Sequence, residues 1–249
     1  MNYEGRDNLQ IMNEAQNYNK FLLKNILSAI PQDATSIVDF GSGDGSMARE
    51  LTVACGKNVC CVEPAENMLQ FYQVPPMNSL YELRDSTVDF IYLLNVLEHI
   101  KDDDEIINLF YQKLKKDGKI YLYLPAFDVL FSSMDKKVGH YRRYDKKKLV
   151  HLFEGKKWKI VDIRYADFLG FFATLVYKMI GNKNGNINPF LLGVFDKYIF
   201  PLSCLLDKLT KGKLLGKNVM MTVKKVSVEC FAFILYDILP VFNNCSYNF

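Results

Sequence analysis

The residues with the plainest chemical purpose are crowded into Asp39-Phe40-Gly41-Ser42-Gly43-Asp44-Gly45. An acid ends a short apolar run, three glycines alternate with other residues, and a helical pattern begins at Ser46. Removing the Cβ at alternate positions admits unusual dihedrals and lets a ligand lie against the backbone. The first N–H groups of the following helix would point at that ligand. The spacing fails the dinucleotide fingerprint, because Ser46 stands where its third glycine belongs. No Gly-Lys-Ser/Thr follows to make a phosphate loop. Taken alone, such a turn also fits a plain strand–helix connection.

A second acid, Glu63, ends the next apolar run and is placed to accept hydrogen bonds from two ribose hydroxyls. Asn95-Val96-Leu97-Glu98-His99-Ile100 follows a further apolar run. In His140-Tyr141-Arg142-Arg143-Tyr144, two arginines between aromatics suit bidentate binding of carboxylate or phosphate on a substrate. The neighbouring Lys136, Lys137, Lys146, Lys147 and Lys148 equally fit a solvated face. A neutral imidazole can take a proton from a hydroxyl. His140 is the first candidate for that base and His99 the second, although His99 also suits a structural place at a helix start. His151 reads as structural.

These residues need elements to hold them. Apolar spacing over residues 9–30 predicts one or two amphipathic helices, closed by Pro31. Strands are expected at 36–40, 58–63, 88–94 and 119–124. Helices are expected at 46–55, from Pro64 onward with Met68, Leu69 and Phe71 on it, and at 102–114, with a turn at Lys116-Asp117-Gly118. Such alternation gives parallel units in an open, doubly wound α/β sheet, with ligands beyond the carboxyl ends of the strands. Two more strands are expected at 158–165 and 218–226. Between them the helical insertion 166–217 carries apolar stretches at Phe168–Tyr177 and Pro189–Leu209. These read as a cover packed over the sheet, or alternatively as an interfacial surface admitting a lipid-linked glycan.

Composition bounds the rest. The chain has 249 residues, 49% of them apolar, and a net charge of +3, which suits one large globular domain and implies no polyanion partner. None of its six cysteines forms a C-x-x-C pair, so buried free thiols are expected, with no disulfide framework and no metal site. No secretory signal is visible and no apolar run reaches the length of a spanning helix, which suggests a cytoplasmic protein.

Jointly these motifs resemble the class I S-adenosylmethionine-dependent methyltransferases. The matching residues are Val38–Gly45, Val62-Glu63-Pro64 with Met68-Leu69, Val88–Ile91, Asn95–Ile100 and Leu114–Gly118. Leu124–Phe127, Gly139–Tyr144 and Ala15–Asn19 narrow the resemblance to bacterial enzymes associated with glycosyltransferases of surface-polysaccharide assembly. The resemblance implies a Rossmann-like, seven-stranded sheet of order 3-2-1-4-5-7-6 within a domain spanning 1–226. The tail 227–249 lies beyond it, without a functional account. S-adenosyl-L-methionine is the implied cofactor: Gly41, Ser42, Gly43 and Gly45 around its methionine part, Asp39 reaching the amino group, and Glu63 on the ribose. Pro64 and Met68 would lie in the same pocket, Leu94 and Asn95 beside the sulfonium, and Tyr18 and Asn19 as a cap. The usual third-strand acid is missing, so Met77 and Asn78 are expected to face the adenine. The implied partner is a small-molecule or glycan acceptor, with nucleic acid disfavoured and peripheral membrane contact an alternative. RNA methylation and a non-catalytic binding module are the competing readings.

Overall fold

The computed structural model describes residues 2–155, 157–180 and 185–226, so the tail 227–249, with Cys230 and Cys245, lies outside the described residues. Helices α1 (Arg6–Met12) and α2 (Gln16–Ala29) precede β1 (Ile37–Phe40), α3 (Ser46–Cys55), β2 (Val59–Val62) and β3 (Val88–Leu94). Then come α4 (Asp103–Lys113), β4 (Leu114–Pro125), α5 (Ser133–Val138), α6 (Lys146–Phe153) and β5 (Trp158–Ala166). The chain continues through α7 (Phe168–Ile180), α8 (Pro189–Val194), α9 (Phe200–Thr210) and β6 (Asn218–Lys225).

The strands form one sheet of order β2-β1-β3-β4-β6-β5. β1 to β4 pair in parallel, and β6 runs antiparallel between β4 and β5. Residues alternate between two buried faces, which is why the inner strands read as almost unbroken apolar runs. Ile37, Phe90, Tyr92, Tyr121 and Tyr123 pack with α2 and Phe200. Val38, Ile91, Leu93, Ile120 and Leu122 pack with Phe110 of α4 and Leu149 of α6.

The expected seven strands are corrected to six among the described residues. In place of the edge strand there is a single bridge from Val62 to Met77, with Glu63 N donating to Met77 O at 2.8 Å and Met77 N to Cys61 O at 3.0 Å. Pro75 and Pro76 precede Met77 and lack the N–H groups a longer ladder would need. The expected turn at Lys116–Gly118 is a bulge within β4, where pairing jumps from Val88–Leu114 to Phe90–Lys119 and Asp117 takes φ +66°. After Pro64 the chain makes a 3-10 turn over Glu66–Phe71 in place of an α-helix.

The insertion departs furthest from expectation. α8 and α9 join through a wide π turn at Phe195–Ile199 into one rod, Pro189–Thr210. Pro201 follows that turn, and its missing N–H cannot bond back along the helix. The rod is 22 residues long, and by length and composition it is apolar enough to cross a membrane. Asp196, Lys197, Asp207 and Lys208 interrupt it, so the sequence shows no unbroken apolar run of that length. Only 17% of its apolar window is buried, and the rod meets the sheet through Phe200, with Leu192, Phe195 and Cys204 packed alongside. Phe190, Leu191, Tyr198, Leu202, Leu205 and Leu209 are exposed along it.

Two aspartates anchor the rod. Asp196 accepts from Asn17 N at 3.0 Å and Tyr18 N at 2.8 Å, capping the start of α2. Asp207 accepts from Asp167 N at 2.7 Å and Phe168 N at 3.0 Å, capping the start of α7. Each carboxylate satisfies helix donors that would otherwise be orphaned.

Candidate active site

The glycine turn lies where β1 ends and α3 begins, beside the end of β2. Gly41, Gly43 and Gly45 take φ of +72°, +57° and +72°, conformations that a Cβ would strain. A Cβ on Gly41 would also stand 2.5 Å from Val96 Cγ2. Glu63 fastens the turn to β2: Oε2 accepts from Gly43 N at 2.7 Å and Oε1 from Ala65 N at 2.9 Å. Burial raises the Glu63 pKa, and those two N–H bonds act against the rise. Asp39 accepts from the Tyr92 hydroxyl at 2.8 Å. Burial pushes its carboxyl up to about 7, opposed by that hydrogen bond. Tyr72, which the sequence did not single out, bonds Ser42 Oγ at 2.7 Å and Gly43 O at 3.0 Å.

The N-terminal segment closes over this turn. A Cβ on Gly43 would meet Leu9 Cδ2 at 2.9 Å, and Asn13 Nδ2 donates to Asp44 Oδ2 at 2.6 Å. Tyr3 and Asn67 exchange hydrogen bonds of 2.8 and 2.9 Å, and the Tyr3 ring stands edge-on to His99 at 5.7 Å.

Non-glycine residues with positive φ mark the carboxyl ends of three strands: Asn95 after β3 (+53°), Phe127 after β4 (+59°) and Asp167 after β5 (+63°). Such conformations cost about 1–3 kcal/mol each and gather at functional edges. Asn95 N donates to Tyr123 O at 2.8 Å, and Asn218 Nδ2 reaches Asn95 Oδ1 at 3.4 Å. The buried Tyr123 hydroxyl and Asn218 Oδ1 have no hydrogen-bond partner. Orphaned polar atoms of this kind fit the polar end of a bound small molecule. A half-open cleft of about 290 Å³ lies on the Glu63 side, lined by Phe40, Pro64, Asn78, Leu80 and Ile100 among others. Its apolar walls and few polar groups suit a flat heterocycle. Asn78 is at this cleft. Met77 is not one of its lining residues; its sulfur lies 3.7 Å from Cys60 Sγ. Met68 is buried in the turn after Pro64.

Beyond Asn95 the two candidate bases meet. The His99 and His140 rings stand 4.5 Å apart, nearly perpendicular. His140 Nδ1 lies 2.8 Å from Asp135 Oδ1 and donates to that carboxylate, while Nε2 stands 3.6 Å from Glu98 Oε1. Burial, reinforced by His140, lowers the His99 pKa to about 4. Burial pushes Glu98 up to about 8. Asp135 is held well below the usual carboxylate range: burial opposes this, and the bonds from His140 and Arg143 override it.

Several expected site residues turn inward. Arg143 is buried, with Nε and Nη2 on Asp135 at 2.8 and 3.0 Å and Nη1 on Ala126 O at 3.1 Å. Arg142 pairs with Asp103 at 2.6 Å and Lys101 O at 2.6 Å. The buried Tyr144 donates to Asp103 at 2.9 Å. These contacts correct the expectation for the buried Arg143 and Tyr144; the Arg142 side chain stays 29% exposed beside Asp103, and Tyr141 58% exposed. Tyr18 is buried, edge-on to Tyr123 and Phe200. Asn19 bonds the carbonyls of Met12 and Asn13, so it shapes the α1–α2 turn and does not cap the pocket. Leu94 is half-buried at the end of β3. His151 lies at the surface against Glu154.

The profile of the family described as Methyltransferase domain matches residues 12–162. No curated protein matches the sequence. Among solved structures, a SAM dependent methyltransferase from Archaeoglobus fulgidus is 17% identical with a TM-score of 0.56, over 83% of this chain and 94% of its own. Geranyl diphosphate C-methyltransferase from Streptomyces coelicolor A3(2) is 9% identical with a TM-score of 0.60, over 83% and 76%. Phosphoethanolamine N-methyltransferase 2 from Haemonchus contortus, in complex with S-adenosyl-L-methionine, is 17% identical with a TM-score of 0.54, over 84% and 52%. At these identities the likeness is one of fold.

Proposed function

Because this chain belongs to the Methyltransferase domain family, we propose that it methylates a hydroxyl of a sugar or glycolipid intermediate in surface-polysaccharide synthesis, with S-adenosylmethionine as donor. The observation that carries the donor assignment is the positive-φ glycine turn fastened to Glu63, with orphaned polar atoms near Asn95. When bound, S-adenosylmethionine supplies a methyl group already activated on a sulfonium, so the chain has chiefly to align the acceptor and remove its proton. Gly41, Ser42, Gly43 and Gly45 hold the amino-acid end against backbone, and Glu63 takes the ribose. Asn78 meets the heterocycle in the cleft, with Pro64 beside it, and Leu94 and Asn95 border the reacting centre. His140, its Nδ1–H given to Asp135, is the group to take the acceptor's proton at Nε2, beside Glu98.

The ion-paired Arg142 and the buried Arg143 favour a neutral glycan over nucleic acid, since both guanidinium groups already have carboxylate partners. The exposed apolar rod, with Lys197, Lys208, Lys211 and Lys213 also exposed, favours a lipid-linked acceptor met at a membrane surface. Calorimetry with S-adenosylhomocysteine tests the donor. One equivalent should bind, and Glu63→Ala should weaken binding at least about tenfold. An absence of heat with folded wild-type protein overturns the assignment. Mass analysis of surface glycans from a deletion strain tests the acceptor, which should lack one methyl group; unchanged glycans refute it.

A further inference from the structure

One buried carboxylate is left without a purpose by the chemistry above. Glu98 is wholly buried, and neither of its oxygens has a hydrogen-bond partner. An ionised carboxylate so placed costs several kcal/mol unless it is paired or coordinates a cation. Two imidazoles face it. His140 Nε2 stands 3.6 Å from Glu98 Oε1, and one ligand atom each from Glu98, His99 and His140 lies within 4.8 Å of the other two. Bonds of about 2.1 Å to a tetrahedral ion set ligand atoms about 3.4 Å apart, so the Glu98–His140 pair is already at coordination spacing.

The surroundings are those of a built site. Asp135 Oδ1 accepts from His140 Nδ1 at 2.8 Å, and Arg143 in turn holds Asp135 at 2.8 and 3.0 Å. A carboxylate behind an imidazole fixes the ring and the tautomer that turns the other nitrogen toward a metal. Two histidines and a carboxylate are a donor set that zinc uses in catalytic sites, with further coordination left open. Cysteine spacing gives no hint of it, because the set joins neighbours Glu98 and His99 to His140 from beyond β4.

We propose that Glu98, His99 and His140 bind one divalent transition-metal ion of the Zn2+ class, with an open coordination position for the acceptor. The role of the ion rests on the methyl-transfer reading; the binding site does not. A hydroxyl bound to the ion would lose its proton to solvent, and its oxygen would form the new O–C bond as the C–S bond breaks. With the ion bound, His140 Nε2 is a ligand, and the base role given to it above passes to solvent.

Metal-stripped full-length protein would be titrated with Zn2+ by calorimetry and with Co2+ by visible absorption. About one equivalent should bind, and Co2+ should give d–d bands of a four- or five-coordinate site. Glu98→Gln and His99→Gln should each weaken Zn2+ binding at least about tenfold, with circular dichroism confirming the fold. Should Glu98→Gln not fold, His99→Gln and the Co2+ spectrum of the wild type carry the test. No Zn2+ binding by the wild type, thiolate charge-transfer bands placing Co2+ on cysteine, or unchanged affinity in a folded variant overturns the proposal. S-adenosylhomocysteine binding measured in parallel separates the two readings. Binding of the nucleoside without the ion removes only the metal site, and the reverse removes only the methyl-transfer reading.

Discussion

Asp39 shows how far a residue's type announces its role. Its position before the glycines made it a candidate, and its neighbours then set its chemistry. An aspartate titrates near 3.9 in an unfolded chain, whereas burial beneath Tyr92 puts Asp39 at about 7 in the fold. Between those values the folded form binds more protons than the unfolded form. Stability therefore falls as pH rises through that window, by up to about 1.4 kcal/mol per pH unit, and levels off above it. Asp39→Asn keeps an acceptor for Tyr92 and removes the charge. Its melting temperature should gain on the wild type from about pH 4 to 7; a gap independent of pH would refute this. Gly41, Gly43 and Glu63 were legible because a positive φ and a strand-end acid leave strong marks in sequence. Arg143 was not, since its partner Asp135 is an ordinary residue whose burial is invisible in one dimension.

At the scale of elements, the apolar runs of β1, β3 and β4 were readable because both faces of a parallel sheet are buried. Their interruptions were not. The bulge at Asp117 looks like a turn in sequence, and the Pro75-Pro76 pair removes an edge strand without altering the hydrophobic pattern. The caps supplied across space are equally hidden, because no local spacing links Asp196 to Asn17 and Tyr18. Asp196→Ala leaves the first donors of α2 without their acceptors and should cost about 1–2 kcal/mol in urea unfolding. A loss below about 0.3 kcal/mol would show that water replaces the carboxylate.

At the scale of the whole molecule, the Pro189–Thr210 rod and α7 together expose Phe172, Val176, Met179, Leu202 and Leu209. Patches this apolar on a folded chain mark contact surfaces. Full-length protein should float with vesicles containing anionic lipid at low salt and release progressively as salt rises. Leu202→Asp with Leu205→Asp should remain in the load, and absence of flotation by the wild type would remove the membrane contact. The opposite end of the chain has its own consequence. Leu9 lies on the Gly43 turn and Tyr3 on His99, so a molecule seated at the glycine turn is roofed by the protein's first residues. Asn13 and Asn67 fasten that roof by hydrogen bonds, so Asn13→Ala should speed both association and dissociation of S-adenosylhomocysteine in stopped-flow measurement. Affinity at this edge and dwell time at this edge become separately adjustable quantities, the first set by the sheet and the second by a clasp of a dozen residues.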